Sequence, residues 1–360
     1  MSNDLYDRFV GTRPVAPQHA FDAGRLSDFM REQVDGFKGQ LQVEQFKGGQ
    51  SNPTYLLTAG QQQYVMRRKP PGALLSSAHA VEREYRVISA LAKTAVPVAR
   101  TYALCEDDAV IGTAFYIMEY VPGRILWDPA LPAMNPGQRG AIFDEMNRVI
   151  AALHEVDYGA VGLDGYGKPG NYLQRQVARW TRQYRASETE HVEAVENLIR
   201  WLPEHIPQSD ETRIVHGDFR IDNVIFHPTE ARILAVLDWE LSTLGQPLAD
   251  IAYHCMTWRM QAEQSRGLAG LALTSLGIPT EEEYLAAYCR RTGRSDISRS
   301  DWEYYMVFNM FRLVGILQGI AKRAVLGNAA NADAVKTGKR ARPLAQQAWR
   351  LVERIEAQFA

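Results

Sequence analysis

One stretch leaves few folds open to this chain: Ile214-Val215-His216-Gly217-Asp218-Phe219-Arg220-Ile221-Asp222-Asn223, with Asp238 following two short apolar runs. The runs are Val224 to Phe226 and Ile233 to Leu237, and His227 to Ala231 between them has turn character. A polar loop feeding such a pair reads as a β-hairpin with carboxylates at its open end. Asp218, Asn223 and Asp238 would then converge. Hard oxygen ligands with one carboxylate to spare suit Mg²⁺ and a hydroxyl nucleophile. A lone Asp and Asn in a loop are as often structural. The whole set, at this spacing and between apolar runs, is what points to chemistry.

A chain of 360 residues exceeds the comfortable size of one hydrophobic core, so two lobes are expected. Its 46% hydrophobic and 23% charged residues are those of an ordinary globular protein. A net charge of −2 gives no general drive towards nucleic acid or membrane, and neither is expected as a partner. The three cysteines, Cys105, Cys255 and Cys289, lie far apart without a C-x-x-C and read as buried thiols in a reducing compartment. No run is long and apolar enough to be a membrane helix, and Met1-Ser2-Asn3-Asp4 lacks the basic and apolar regions of a signal peptide. The expected location is cytoplasmic.

Upstream, Leu41 to Lys47, Thr54 to Thr58 and Tyr64 to Arg68 read as strands. Gly48-Gly49-Gln50-Ser51-Asn52 joins the first two. Strand, glycine-rich loop, strand lets backbone N–H groups approach a nucleotide's phosphates, although paired glycines also make ordinary turns. Alternation along the third strand puts Arg67 and Lys69 on one face and Arg68 on the other. A helix from about His79 to Thr94 carries Glu82 and Glu84, and a buried strand from Ala114 runs out at Val121-Pro122-Gly123. Residues 1–18 read as an extended arm and Asp22 to Val34 as a helix. Beyond Pro136 the expected helices are Arg139–Glu155, Tyr172–Arg185, Val192–Leu202, Met256–Arg266, Glu281–Arg291, Asp301–Val325 and Asn331–Phe359. Tyr172, Trp180, Tyr184 and Trp201 are core residues by default and pocket residues by option.

H-G-D-x-x-x-x-N with a later Asp after a hairpin resembles the catalytic and metal-binding loops of the aminoglycoside phosphotransferase and choline kinase family, small-molecule relatives of the protein kinases. Gly217 stands where protein kinases carry an arginine, and Trp239-Glu240 where they carry Phe-Gly. Both departures argue against control by activation-loop phosphorylation. The resemblance implies an α+β, two-lobed, protein-kinase-like fold: a small antiparallel-sheet N-lobe over residues 1–120 and a larger, mainly helical C-lobe over 121–360. It also implies ATP and Mg²⁺. Gly48, Gly49, Ser51 and Asn52 would attend the phosphates, with Arg67 paired to Glu84 on the α/β-phosphates. Lysine is commoner than arginine there, so Lys69 is the other option and a solvated basic edge the structural one. The backbone of Glu119 and Val121 would hold adenine, Asn223 and Asp238 the metal, and Asp218 would act on the acceptor hydroxyl. Asp250, in Gly245-x-Pro247-x-x-Asp250-x-Ala252, would brace the catalytic loop, with a third metal ligand as its alternative; His154 reads as structural.

A closer resemblance covers roughly residues 25–350. It rests on Gly48 to Tyr55, Arg67-Arg68-Lys69-Pro70-Pro71-Gly72 and Ala78-His79-Ala80-Val81-Glu82-Arg83-Glu84. These runs are similar to the kinase-like domain attached to some acyl-CoA dehydrogenases and to its free-standing bacterial relatives. The implied reaction is phosphorylation of a small-molecule hydroxyl, with a hydroxyacyl-CoA or related metabolite as acceptor. The tail is basic: Lys322, Arg323, Lys336, Lys339, Arg340, Arg342, Arg350 and Arg354 face only Asp333, Glu353 and Glu356. That is either a solvated surface or a patch for an anionic substrate, and its sign disfavours polycationic antibiotics. The alternative function is a nucleotide-binding pseudokinase or scaffold without turnover. The acceptor's identity and the oligomeric state stay open, a homodimer being one option.

Overall fold

Apolar–polar alternation between Leu41 and Arg68 builds a twisted sheet, and the rest of the first unit is laid on its two faces. The structure is a computed structural model that describes residues 10–48, 52–71, 80–209, 211–261, 267–327 and 334–359. The strands are β1 (Thr12–Arg13), β2 (Leu41–Phe46), β3 (Thr54–Ala59), β4 (Gln62–Arg68), β5 (Thr101–Cys105) and β6 (Phe115–Glu119). They run in the order β1-β2-β3-β4-β6-β5, each pair antiparallel. Helix α1 (Ala23–Gln33) starts at Asp22, whose carboxylate accepts from the N–H groups of Gly24 and Arg25. Its Leu26 and Met30 pack with Tyr55, Leu57, Tyr64, Met66, Phe115 and Ile117. Arg67 therefore leaves β4 on the other side, where α2 (Val81–Leu91) lies.

The chain divides into two compact units. The first takes the chain up to Trp127 together with Tyr158–Tyr166 and Arg220–Ser242; the second takes Asp128–Asp157, Gly167–Phe219 and everything from Thr243. The later segments belong to the first unit because it anchors them. Arg83 of α2 donates to the carbonyl of Tyr166 at 2.8 Å and lies 4.4 Å from that ring's centre. The hairpin of Val224–Phe226 and Ile233–Val236 is tied to the sheet's end, where Phe226 and Arg124 exchange N–H···O bonds at 2.9 Å. Gly123 makes that crossing possible, since a Cβ there would sit 2.4 Å from the carbonyl oxygen of Phe226.

Among the described residues the second unit is helical around the strand pair Arg213–Val215 with Thr243–Gly245. Its main helices are α3 (Pro136–His154), α4 (Tyr172–Ser187), α5 (Glu193–Glu204), α6 (Pro247–Arg259), α7 (Glu281–Arg291), α8 (Arg299–Val325), α9 (Ala334–Gly338) and α10 (Ala341–Phe359). The long α8 is the axis, packing against α4, α6, α9 and α10. Among the described residues no helix is long and apolar enough to cross a membrane.

Several boundaries differ from the sequence expectation. The N-terminal arm is not merely extended: Thr12 and Arg13 pair with Phe46 and Gln45 and give the sheet its edge strand. Helix α3 begins at Pro136 rather than Arg139, because Asn135 and Gln138 form a reciprocal capping box and proline suits the first helical position. The helix expected over Met256–Arg266 overlaps the end of α6, which starts at Pro247 behind a Gln246 cap and stops at Arg259; residues 262–266 lie outside the described residues. The last expected helix, from Asn331, is two over the described residues, α9 and α10, with the break at Lys339 and Arg340; residues 331–333 lie outside them.

Candidate active site

In the first unit the site is built around one buried cation. Arg67 leaves β4 opposite Tyr116 of β6. Its Nε lies 2.8 Å from Glu84 Oε2 on α2, and its Nη2 donates to Asp238 Oδ1 at 2.7 Å. Glu240 Oε2 stands 3.6 Å from the same Nη2. Glu84 is 1% exposed, so its charge needs partners besides Arg67. Asn52 Nδ2 donates to Oε1 at 2.8 Å and the Tyr116 hydroxyl to Oε2 at 3.1 Å. Burial works against the Arg67 charge, but Glu84 and Asp238 outweigh it and hold its pKa above the ordinary arginine value. Three carboxylates thus surround one guanidinium.

The hairpin register places Asn223 beside Asp238. Val224 pairs with Val236, and the N–H of Leu237 donates to the Asn223 carbonyl at 2.8 Å. Asn223 and Asp238 are thereby brought to the same open end. Asp238 adopts a left-handed backbone, φ 62° and ψ 61°, which only glycine, Asn and Asp enter readily. Non-glycine strain of this kind is concentrated at functional positions.

In the second unit the loop after Arg213–Val215 carries Asp218, and it is held from several sides. Asp250 of α6 accepts from the N–H groups of His216 at 2.7 Å and Gly217 at 2.8 Å. Gly217 turns the chain at φ 83°, a conformation its missing Cβ permits. The ring of fully buried His154 bridges Asp250 Oδ2 at 3.2 Å and the Tyr288 hydroxyl at 2.8 Å. An ionised Asp250 can only accept, so Nε2 of His154 carries a proton. Burial alone would raise the Asp250 carboxyl, but the His154 hydrogen bond, the neighbouring imidazoles and the His216 N–H hold it below its usual range. Asp218 itself donates its N–H to His216 Nδ1 at 3.1 Å and accepts at Oδ1 from the Tyr253 hydroxyl at 2.5 Å.

The residues expected at the nucleotide fall in different places. Gly49 and Ser51 lie outside the described residues; Gly48 is two residues beyond the end of β2 and half-buried. Asn52, expected to face the phosphates, is fully buried with its amide donating to Glu84. Arg68 points into the α1 side, over the ring of Phe21 at 5.3 Å, and Lys69 pairs with Glu82 at 2.9 Å. Arg67, not Lys69, is therefore the cation that meets Glu84 and Asp238. The N–H of Glu119 is committed to the Arg100 carbonyl at 2.8 Å, and Val121 follows just past β6. Sequence reasoning noted Glu240 and Arg312 without a role for either, and gave none to Tyr116 or Tyr253. Tyr253 had a usable signal, since it sits one helical turn from Asp250; Tyr116 had none, because cross-strand register is not written in the sequence.

The description "Phosphotransferase enzyme family" matches residues 42–304. The chain belongs to that family, and its class is that of small-molecule kinases, phosphotransferases with an alcohol group as acceptor. Among its relatives, Acyl-CoA dehydrogenase family member 10 of Mus musculus is 48% identical over 94% of this chain and 32% of its own length. Probable acyl-CoA dehydrogenase IBR3 of Arabidopsis thaliana is 43% identical over 94% of this chain and 43% of its own. The chain thus spans less than half the length of these curated relatives. A crystal structure from Ralstonia eutropha JMP134, provisionally named an aminoglycoside phosphotransferase, is 58% identical with a TM-score of 0.87, covering 93% of this chain and 99% of that one. Aminoglycoside phosphotransferase APH(4)-Ia, solved with AMP-PNP and hygromycin B, shares the fold at 17% identity and a TM-score of 0.58, over 91% of this chain and 99% of its own. The expected two-lobed, protein-kinase-like α+β fold is the one observed.

Proposed function

We propose that the chain transfers the γ-phosphoryl group of ATP to the hydroxyl of a small metabolite, with a hydroxyacyl-CoA as the acceptor class, and that it does so with Mg²⁺. The observation that carries this reading is Arg67 held between Glu84 and Asp238. A guanidinium fixed by a buried carboxylate is prepared to meet α/β-phosphates, and its fork suits two phosphate oxygens. The donor set fits magnesium, because Asn223 and Asp238 offer hard oxygens at one end of the hairpin. Bound there, the ion would neutralise phosphate charge. Arg67 would orient the nucleotide and the Glu119–Val121 backbone would take the adenine edge. Asp218 would orient the acceptor hydroxyl and take up its proton as the new O–P bond forms and ADP leaves.

The acyl-CoA class is supported by the relatives named as acyl-CoA dehydrogenases and by the basic tail. A cytoplasmic setting is supported by three free, buried thiols. The competing reading, a nucleotide-binding pseudokinase, draws on arginine standing where lysine is commoner; Asp218, Asn223 and Asp238, all present, favour turnover. The test is ADP production from Mg²⁺-ATP against hydroxyacyl-CoAs, hydroxy acids, choline, sugars and aminoglycosides. Asp218→Ala is expected to abolish transfer while Mg²⁺-ATP still raises the melting temperature. Transfer retained by that variant would remove Asp218 from the mechanism, and a wild-type protein that binds ATP but uses none would favour the pseudokinase.

A further inference from the structure

Two residues with no assigned role meet at the catalytic loop. Tyr253 of α6 is 8% exposed and Arg312 of α8 is 7% exposed. The Tyr253 hydroxyl donates to Asp218 Oδ1 at 2.5 Å, the short end of the range for a phenol on a carboxylate. Arg312 lies 4.9 Å from the centre of the Tyr253 ring and 5.6 Å from that of Trp180. Its Nη2 donates to the Gly217 carbonyl at 2.6 Å. Asp250 holds the N–H of the same Gly217 at 2.8 Å. The residue before Asp218 is therefore gripped at both its N–H and its carbonyl, and the Asp218 side chain is gripped separately by Tyr253.

A merely structural role would not need this arrangement. A tyrosine on the buried face of α6 could satisfy its hydroxyl on a backbone carbonyl, as Tyr304 does on Leu202 at 3.0 Å. A buried arginine is ordinarily matched to a carboxylate, as Arg294 is to Glu211 at 2.6 Å. Arg312 instead spends its guanidinium on a loop carbonyl and two aromatic faces, and Tyr253 spends its hydroxyl on Asp218.

We propose that Tyr253 and Arg312 are positioning residues for Asp218. Tyr253 fixes the plane of the carboxylate, and Arg312 fixes both the tyrosine ring and the loop beneath it, so that Asp218 meets the acceptor hydroxyl in one orientation. This rests on the reading that Asp218 engages the acceptor. Orientation of a reacting group acts on the chemical step and leaves substrate binding largely alone, which gives the effect a kinetic signature.

The experiment uses the full chain and measures ADP release from Mg²⁺-ATP, with water and with hydroxybutyryl-CoA as acceptors. Tyr253→Phe keeps the ring under Arg312 and removes only the hydroxyl. It is expected to lower kcat by about 10- to 100-fold, with both KM values within about two-fold of wild type. Its melting temperature should stay close to wild type, and so should its stabilisation by Mg²⁺-ATP. Arg312→Lys keeps the charge without the fork and is expected to show the same split. A Tyr253→Phe enzyme with kcat within about two-fold of wild type overturns the proposal and leaves Asp218 in place. A loss of kcat that only tracks the fraction folded also overturns it. A wild-type protein that releases no ADP with these or with any other acceptor of the panel above removes the catalytic reading, and the proposal with it.

Discussion

At Arg67 a departure from the commoner lysine has a structural use. A guanidinium can touch Glu84 through Nε and Asp238 through Nη2 at once, whereas an ammonium is a single point charge. Removing it would strand the buried Glu84, so Arg67→Ala should cost about 3 kcal/mol in urea unfolding and abolish stabilisation by ATP. His254 makes a second residue-level case. It follows Tyr253 on α6 and packs against Phe219, Trp258 and Tyr284. Burial brings its pKa down from 6.5 to about 4. The folded protein keeps this ring neutral where the unfolded chain protonates it. Its contribution to stability is therefore full above pH 6.5 and falls as the pH drops towards 4, by up to about 3 kcal/mol. Urea midpoints at pH 7.5 and pH 5 should differ less in His254→Gln than in wild type. These environments were only partly legible. Asp218, Asn223 and Asp238 stood out by type and spacing, and the resemblance pointed to Arg67 and Glu84, which the structure pairs at 2.8 Å. The duty of Asn52 to Glu84 did not stand out, because it depends on a contact across 32 positions of sequence.

Elements were read best where a period or a cap is local. The alternation of β2 to β4 and the hairpin around His227–Ala231 stood in the sequence nearly as they fold. Helix starts were missed where the cap lies outside the apolar stripe. Asn135 accepts from the Gln138 N–H at 2.9 Å, and Gln138 returns the bond to the Asn135 N–H at 3.0 Å. Asn135→Ala should therefore lower unfolding stability by about 1 kcal/mol, measured by chemical denaturation, with kcat unchanged. The start of α6 was missed for a related reason. Gly245-Gln246-Pro247 reads as a loop signal, yet the Gln246 side chain accepts from Leu248 N–H at 3.3 Å and proline occupies the first turn. That misreading mattered, because Asp250 and Tyr253 are helical residues on a common face and work as such.

For the whole molecule, the net charge of −2 conceals a basic C-terminal region. If phosphate groups of the acceptor are met there, transfer to hydroxybutyryl-CoA should fall several-fold in kcat/KM between about 0.05 M and about 0.2 M salt, as screening shortens the reach of those charges. The pantetheine thioester of the same acid should show little salt dependence. Equal salt responses would remove the tail from acceptor recognition. The first unit is also assembled from three separate passages of chain, the last of which brings Asn223 and Asp238. Neither half can therefore be inherited, exchanged or fused as a contiguous stretch of gene. Recombination that moves this fold between proteins must move both units together, and the relatives that match it inside longer chains do so along 94% of its length.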